Sequence, residues 1–193
     1  MSNNVRVLKK IQSWLRKEPV VTSWHPADQG WDTVIKVDKK TGLEVLEARS
    51  SRLPFELVVF VLPSRLCIRL TVSSGIETEG LDKGLKALIY RELLVLNSTV
   101  ELVKYVIIEP RDTLAVAADL EIKALNEQLF RDSLLAVFAG LIVMIEHLGL
   151  AEMLPPIARG ALEKLHEKLV VEYNIPSPMD YISRIHVPRT IAG

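Results

Sequence analysis

The residues best placed for chemistry lie in one short stretch, Ser23-Trp24-His25-Pro26-Ala27-Asp28-Gln29-Gly30-Trp31-Asp32. It sets a hydroxyl, an imidazole and two carboxylates close together, between indoles able to line a pocket. A serine activated by a histidine that a carboxylate orients is the pattern of nucleophilic catalysis. Such triads are assembled from distant segments held at fixed geometry, which a proline-containing loop does not supply by itself. The stretch therefore reads first as a loop that Trp24 and Trp31 anchor on the core, with His25 and Asp28 facing water. The alternative is an enzyme or small-molecule binder built on Trp24, His25, Asp28 and Trp31, which requires a closed pocket with convergent polar groups.

No other chemistry stands out. The histidines are His25, His147, His166 and His186, and no two are four apart, as helical metal ligands are. Glu163 and His166 form an E-x-x-H pair, half of a di-metal bundle site, but the second copy and the further glutamates such a site requires are missing. Cys67 is the only cysteine; it sits in the apolar run LCIRL and reads as a buried, inert thiol. No phosphate-binding glycine loop, nucleophile elbow or H-E-x-x-H occurs, and Gly75, Gly80 and Gly84 read as loop and helix-start glycines. No catalytic, cofactor-binding or metal-ligating residue is assigned, and no cofactor is expected.

Composition narrows the classes. The 193 residues carry 24 basic and 24 acidic side chains and are 49% hydrophobic, enough for a substantial core. A nucleic-acid binder advertises a basic excess that this chain lacks. The charged N-terminus has no signal-peptide core, and the longest uncharged apolar run, twelve residues from Leu134 to Ile145, is short of the roughly 20 that span a bilayer. The expectation is a cytoplasmic protein with neither a nucleic-acid nor a membrane partner.

Periodicity supplies the elements. Residues 4–17 predict a helix with Val5, Leu8, Ile11 and Leu15 in one stripe and Asn3 or Asn4 as N-cap. Strands are expected over 33–38, 43–49, 55–62 and 65–72 as an antiparallel meander, with a hairpin turn at Lys39 to Gly42. The third, FELVVFVL, is apolar at nearly every position, as in a strand covered on both faces. SSGIETEG breaks the sheet, a helix follows over 81–96, and two further strands are expected over 104–109 and 113–120. A helix over 157–172 and an apolar, proline-containing arm complete the chain.

The chain is organised around the helix of residues 124–149, which is apolar all round from Leu134 to Ile145 and so must be covered on all sides. A stripe of Phe130, Leu134, Val137, Phe138, Leu141, Ile145 and Leu148 is expected to face the sheet. Leu135, Ala139 and Ile142 then need a second cover: another helix, the C-terminal tail or a second subunit. Ala136 and Gly140, small residues four apart, let another backbone approach and, with Leu141, mark this as a core or dimer helix.

This order of helix, three or four strands, helix, two strands and long apolar helix resembles the type III secretion chaperone-like fold, which a bacterial sensory-transduction regulator family also uses. The resemblance covers residues 5–150 and implies a non-enzymatic, homodimeric protein that binds other proteins. The reading is one α+β domain over 1–150, an antiparallel sheet with helices mainly on one face, plus a helical and extended appendage over 151–193 that packs on the domain or a partner subunit. The expected role is that of a chaperone-like or adaptor module. An apolar surface of sheet and first helix, marked by Val5, Leu8, Leu15, Phe55, Val59 and Ile68, would accept a segment of a protein client.

Overall fold

The computed structural model describes residues 2–16, 31–39, 41–50 and 54–184. Ser2 starts the first helix, its Oγ accepting the Val5 N–H at 3.2 Å, so the cap falls one residue before the expected asparagines. Helix α1 (Asn3–Leu15) buries Leu8, Ile11, Trp14 and Leu15. Strands β1 (Asp32–Val37), β2 (Glu44–Arg49), β3 (Leu57–Leu62) and β4 (Cys67–Glu77) follow as an antiparallel meander. Gly42, at φ +69°, closes the first hairpin, and the Asp38 carboxylate accepts the Thr41 N–H at 2.9 Å.

Two boundaries differ from expectation. Leu66 is exposed in left-handed conformation after a short turn at Pro63–Arg65, so β4 begins at Cys67. Serine and glycine at 73–75 do not end β4. They form an irregularity between Ser73 and Glu77, with Gly75 at φ +74°, the conformation glycine adopts without penalty. Ser74 turns its hydroxyl inward to the Leu114 carbonyl, so the break in hydrophobic pattern is a bulge rather than a loop.

Helix α2 (Lys83–Thr99) starts at Asp82, whose carboxylate accepts the N–H groups of Gly84 and Leu85. Strands β5 (Lys104–Ile108) and β6 (Thr113–Glu121) complete a six-stranded antiparallel sheet in the order β1-β2-β3-β4-β6-β5. Helix α3 (Glu127–His147), capped by Asn126, then crosses it. Register separates the faces. Leu46, Leu57, Val59, Ile68, Leu70, Val72, Val116 and Ala118 point to one side, with α1 over β1 to β3 and α3 over β4 and β6.

Small residues bring α3 onto the sheet. A Cβ on Gly140 would lie 2.9 Å from Val116 Cγ1 and 3.1 Å from Val103 Cγ2. The sheet-facing side is thus the Ala136–Gly140 side, rotated from the bulky stripe the sequence suggested. Phe130 packs on Trp14 of α1 and Phe138 on Trp31. The second cover belongs to the same chain: α4 (Pro156–Val171) and α5 (Pro178–Arg184) pack on α3. Where an extended arm was expected, residues 178–184 are helical, with Ser177 Oγ accepting the Asp180 N–H.

Candidate partner-binding face

The other side of the sheet has no described helix packed on it. By register, its residues are Asp32, Val34 and Lys36 of β1, Val45, Glu47 and Arg49 of β2, and Val58, Phe60 and Leu62 of β3. They continue with Cys67, Arg69, Thr71 and Ser73 of β4, Thr113, Ala115, Ala117, Asp119 and Glu121 of β6, and Lys104, Val106 and Ile108 of β5. Val34 is 54% exposed, Val58, Phe60, Leu62 and Val106 are half-buried, and Val45, Thr71, Ala115 and Ala117 between them are buried. Two ion pairs cross this band. Lys36 pairs with Glu47 between β1 and β2. Arg69 donates to Asp119 through Nε and Nη2, at 2.6 and 2.7 Å, between β4 and β6; this hydrogen bonding holds the guanidinium pKa above its ordinary value. The face offers apolar contact area bordered by fixed charges.

The apolar run of β3 is what builds it. Leu57, Val59 and Val61 are buried under the helices, while Val58, Phe60 and Leu62 alternate to the opposite side. The sequence signal for cover on both faces is met by described helices on one. Cys67 sits at the margin and is buried; burial, and next the Asp119 charge, push its thiol pKa up, so it is poorly disposed to form a thiolate.

The sheet edges differ. At β5 the Asn97 side chain of α2 accepts the Tyr105 N–H at 2.7 Å and donates to the Tyr105 carbonyl at 2.9 Å. At β1 the Asp38 N–H to Leu43 carbonyl bond sets the hydrogen-bonding phase. The N–H and C=O groups of Thr33, Ile35 and Val37 therefore point away from β2. Gln12 of α1 donates to the Thr33 carbonyl at 3.3 Å.

The residues singled out in the sequence fall elsewhere. Leu8, Leu15, Phe55, Val59 and Ile68 are 0–1% exposed core side chains and Val5 is half-buried, so the surface expected there is the covered side of the sheet. Ala136, Gly140 and Leu141 are buried within one chain. Trp31 is 4% exposed, stacks on Phe138 at 6.2 Å between centroids, and its Nε1 has no hydrogen-bond partner. Trp24, His25 and Asp28 lie outside the described residues. His166 pairs with Glu146 at 3.2 Å, and among the described residues no three histidine, cysteine or acidic side chains are grouped to hold a metal. Helix α3 is long and apolar enough by composition to cross a membrane, yet most of it is buried inside the protein.

No curated protein matches this sequence. A chain in the crystal structure of the ExsC–ExsE complex is similar in fold: it is 11% identical, the alignment covers 73% of this chain and 92% of that one, and the TM-score is 0.39. Residues 21–148 match the family described as a domain of unknown function, DUF8183, and the chain belongs to that family.

Proposed function

We propose that this protein is a non-catalytic, homodimeric protein-binding module of chaperone or adaptor type, acting in the cytoplasm, and that its partner docks on the open side of the sheet. The observation that supports this is β3, apolar on both faces and covered by described helices on one. Apolar side chains held partly in water carry a continuing solvation cost, and exposed apolar surface of this kind marks an interaction site. Val34, Val58, Phe60 and Val106 supply the area. Lys36–Glu47 and Arg69–Asp119 give a docking segment its orientation more than its affinity.

The test compares tagged wild type with Phe60→Asp, captured from a native lysate after circular dichroism has shown both to be folded. The reading expects a recurrent stoichiometric protein on wild type and its loss from Phe60→Asp. A partner retained by the variant, or none on either, would count against the face.

A further inference from the structure

We propose that a second copy of this chain pairs with β1 edge to edge, antiparallel about Val34, so that two six-stranded sheets become one. This rests on the homodimeric part of the proposed function and names its interface. Three observations converge on β1. Ile35 and Val37 direct backbone donors and acceptors outward, and among the described residues only Gln12 reaches that edge, at Thr33. An unpaired edge is a template for another strand. At the opposite edge Asn97 already holds both backbone groups of Tyr105, which leaves β1 the longer run of outward groups among the described residues. Val34 and Val37 are 54% and 59% exposed, unusually open for valines in a strand.

The sequence of β1, Asp-Thr-Val-Ile-Lys-Val, then favours the register with the longest overlap and opposite charges paired. Pairing about Val34 sets Val34 against its own copy, Thr33 against Ile35, and Asp32 against Lys36, twice by symmetry. Sliding the dyad to Ile35 sets Asp32 against Asp38, and sliding it to Lys36 or Asp32 sets like charges directly opposite, which is destabilising. About Val34 every outward-pointing residue also meets an outward-pointing residue, as antiparallel hydrogen bonding requires. In that arrangement Lys36 lies between Glu47 of its own β2 and Asp32 of the copy.

The helices leave room. Helix α1 touches β1, β2 and β3 and so is centred near β2. With strands about 4.8 Å apart, the two α1 axes would stand roughly 14 Å apart across the dyad, beyond the 8–10 Å of packed helices. Both open faces would then lie on the same side of one continuous sheet.

The experiment uses the full chain. Sedimentation equilibrium gives the oligomeric state of wild type and of Ile35→Pro, which deletes an outward N–H that the β1–β2 ladder does not use. In parallel, Val34→Cys and Ile35→Cys are each made with Cys67→Ala and oxidised. Copies of Val34 would face each other across a non-hydrogen-bonded pair about 4.5 Å apart at Cα, within disulfide range. The proposal expects a dimeric wild type, a monomeric Ile35→Pro, and cross-linking of Val34→Cys well above that of Ile35→Cys. A dimer that ignores Ile35→Pro and does not cross-link at position 34 overturns this interface and leaves the dimer standing. A wild type that is monomeric throughout overturns both. Cross-linking of Val34→Cys to a different captured protein assigns the edge to that partner and overturns the pairing of copies.

Discussion

Tyr105 shows how a buried polar atom records a compromise. Its ring fills the space beneath β5 at 4% exposure, while its hydroxyl has no hydrogen-bond partner. Burial raises the phenol pKa well above its ordinary value. Tyr181, which donates to the Asp132 carbonyl at 3.4 Å, is pushed up to about 12 by burial, then by the Asp132 charge. Phenols in an unfolded chain ionise near about pH 10. Above that pH the unfolded chain gives up protons that the folded chain keeps, so stability is intact below about pH 10 and is lost as the pH rises toward the folded-state values. Urea titrations at about pH 8 and about pH 11 should show a steep loss in wild type and a shallower one in Tyr105→Phe. At neutral pH that variant should cost little, since the hydroxyl it removes makes no bond. An equally steep loss in both proteins would discount Tyr105 as a source of alkaline instability. None of this could be read from the sequence, where Lys-Tyr-Val-Ile-Ile identifies a strand but not which side of Tyr105 is filled.

Elements were legible where one local rule governed them. Thr-Val-Ile-Lys-Val at the first strand, the positive φ of Gly42 after it and the Pro155-Pro156 start of α4 each follow from period or turn chemistry, and all stand close to where they were expected. Two signals misled for physical reasons. Ser73 to Gly75 looks like a loop because a bulge turns a serine inward and uses a glycine at positive φ. The bulky stripe of α3 looks like its sheet-facing side, but Gly140 lets the backbone descend between Val103 and Val116, so small residues face the sheet and aromatic ones the flanks. The role of α2 was not legible either. Asn97 sits near its end as an ordinary polar residue, yet its amide caps the β5 edge at Tyr105. Asn97→Ala should therefore destabilise the protein by about 1–3 kcal/mol through the unpaired Tyr105 amide and carbonyl. A gain of roughly 0.6 kcal/mol in helix propensity offsets part of that cost. Thermal unfolding would show a drop of several degrees, and amide exchange at Tyr105 should accelerate. A variant that melts with wild type would mean that solvent satisfies this edge as well as Asn97 does.

At the scale of the whole molecule, the family match ends at residue 148, and the sequence placed an appendage after 150. We expect residues 151–184 to be an obligatory third layer rather than a separable tail. Leu165 and Leu169 of α4 and Ile182 of α5 are 0–1% exposed and belong to the same core as α1, the sheet and α3. Leu135, Ala139 and Ile142 of α3 share a helical side with Glu146, which pairs with His166 of α4. These are the residues that the sequence left in need of a second cover. Removing α4 and α5 would expose that side of a helix that is apolar all round, a loss no surface charge can offset. A chain ending at Leu150 should therefore aggregate, or persist as a compact state that binds hydrophobic dyes and unfolds without a cooperative transition. Size-exclusion chromatography and differential scanning calorimetry on the truncated and full chains decide the point. A monodisperse truncated chain melting cooperatively within a few degrees of the full one would show that 1–150 is self-sufficient. The cover provided by α4 and α5 would then be a docked accessory, and α3 would become available to a partner.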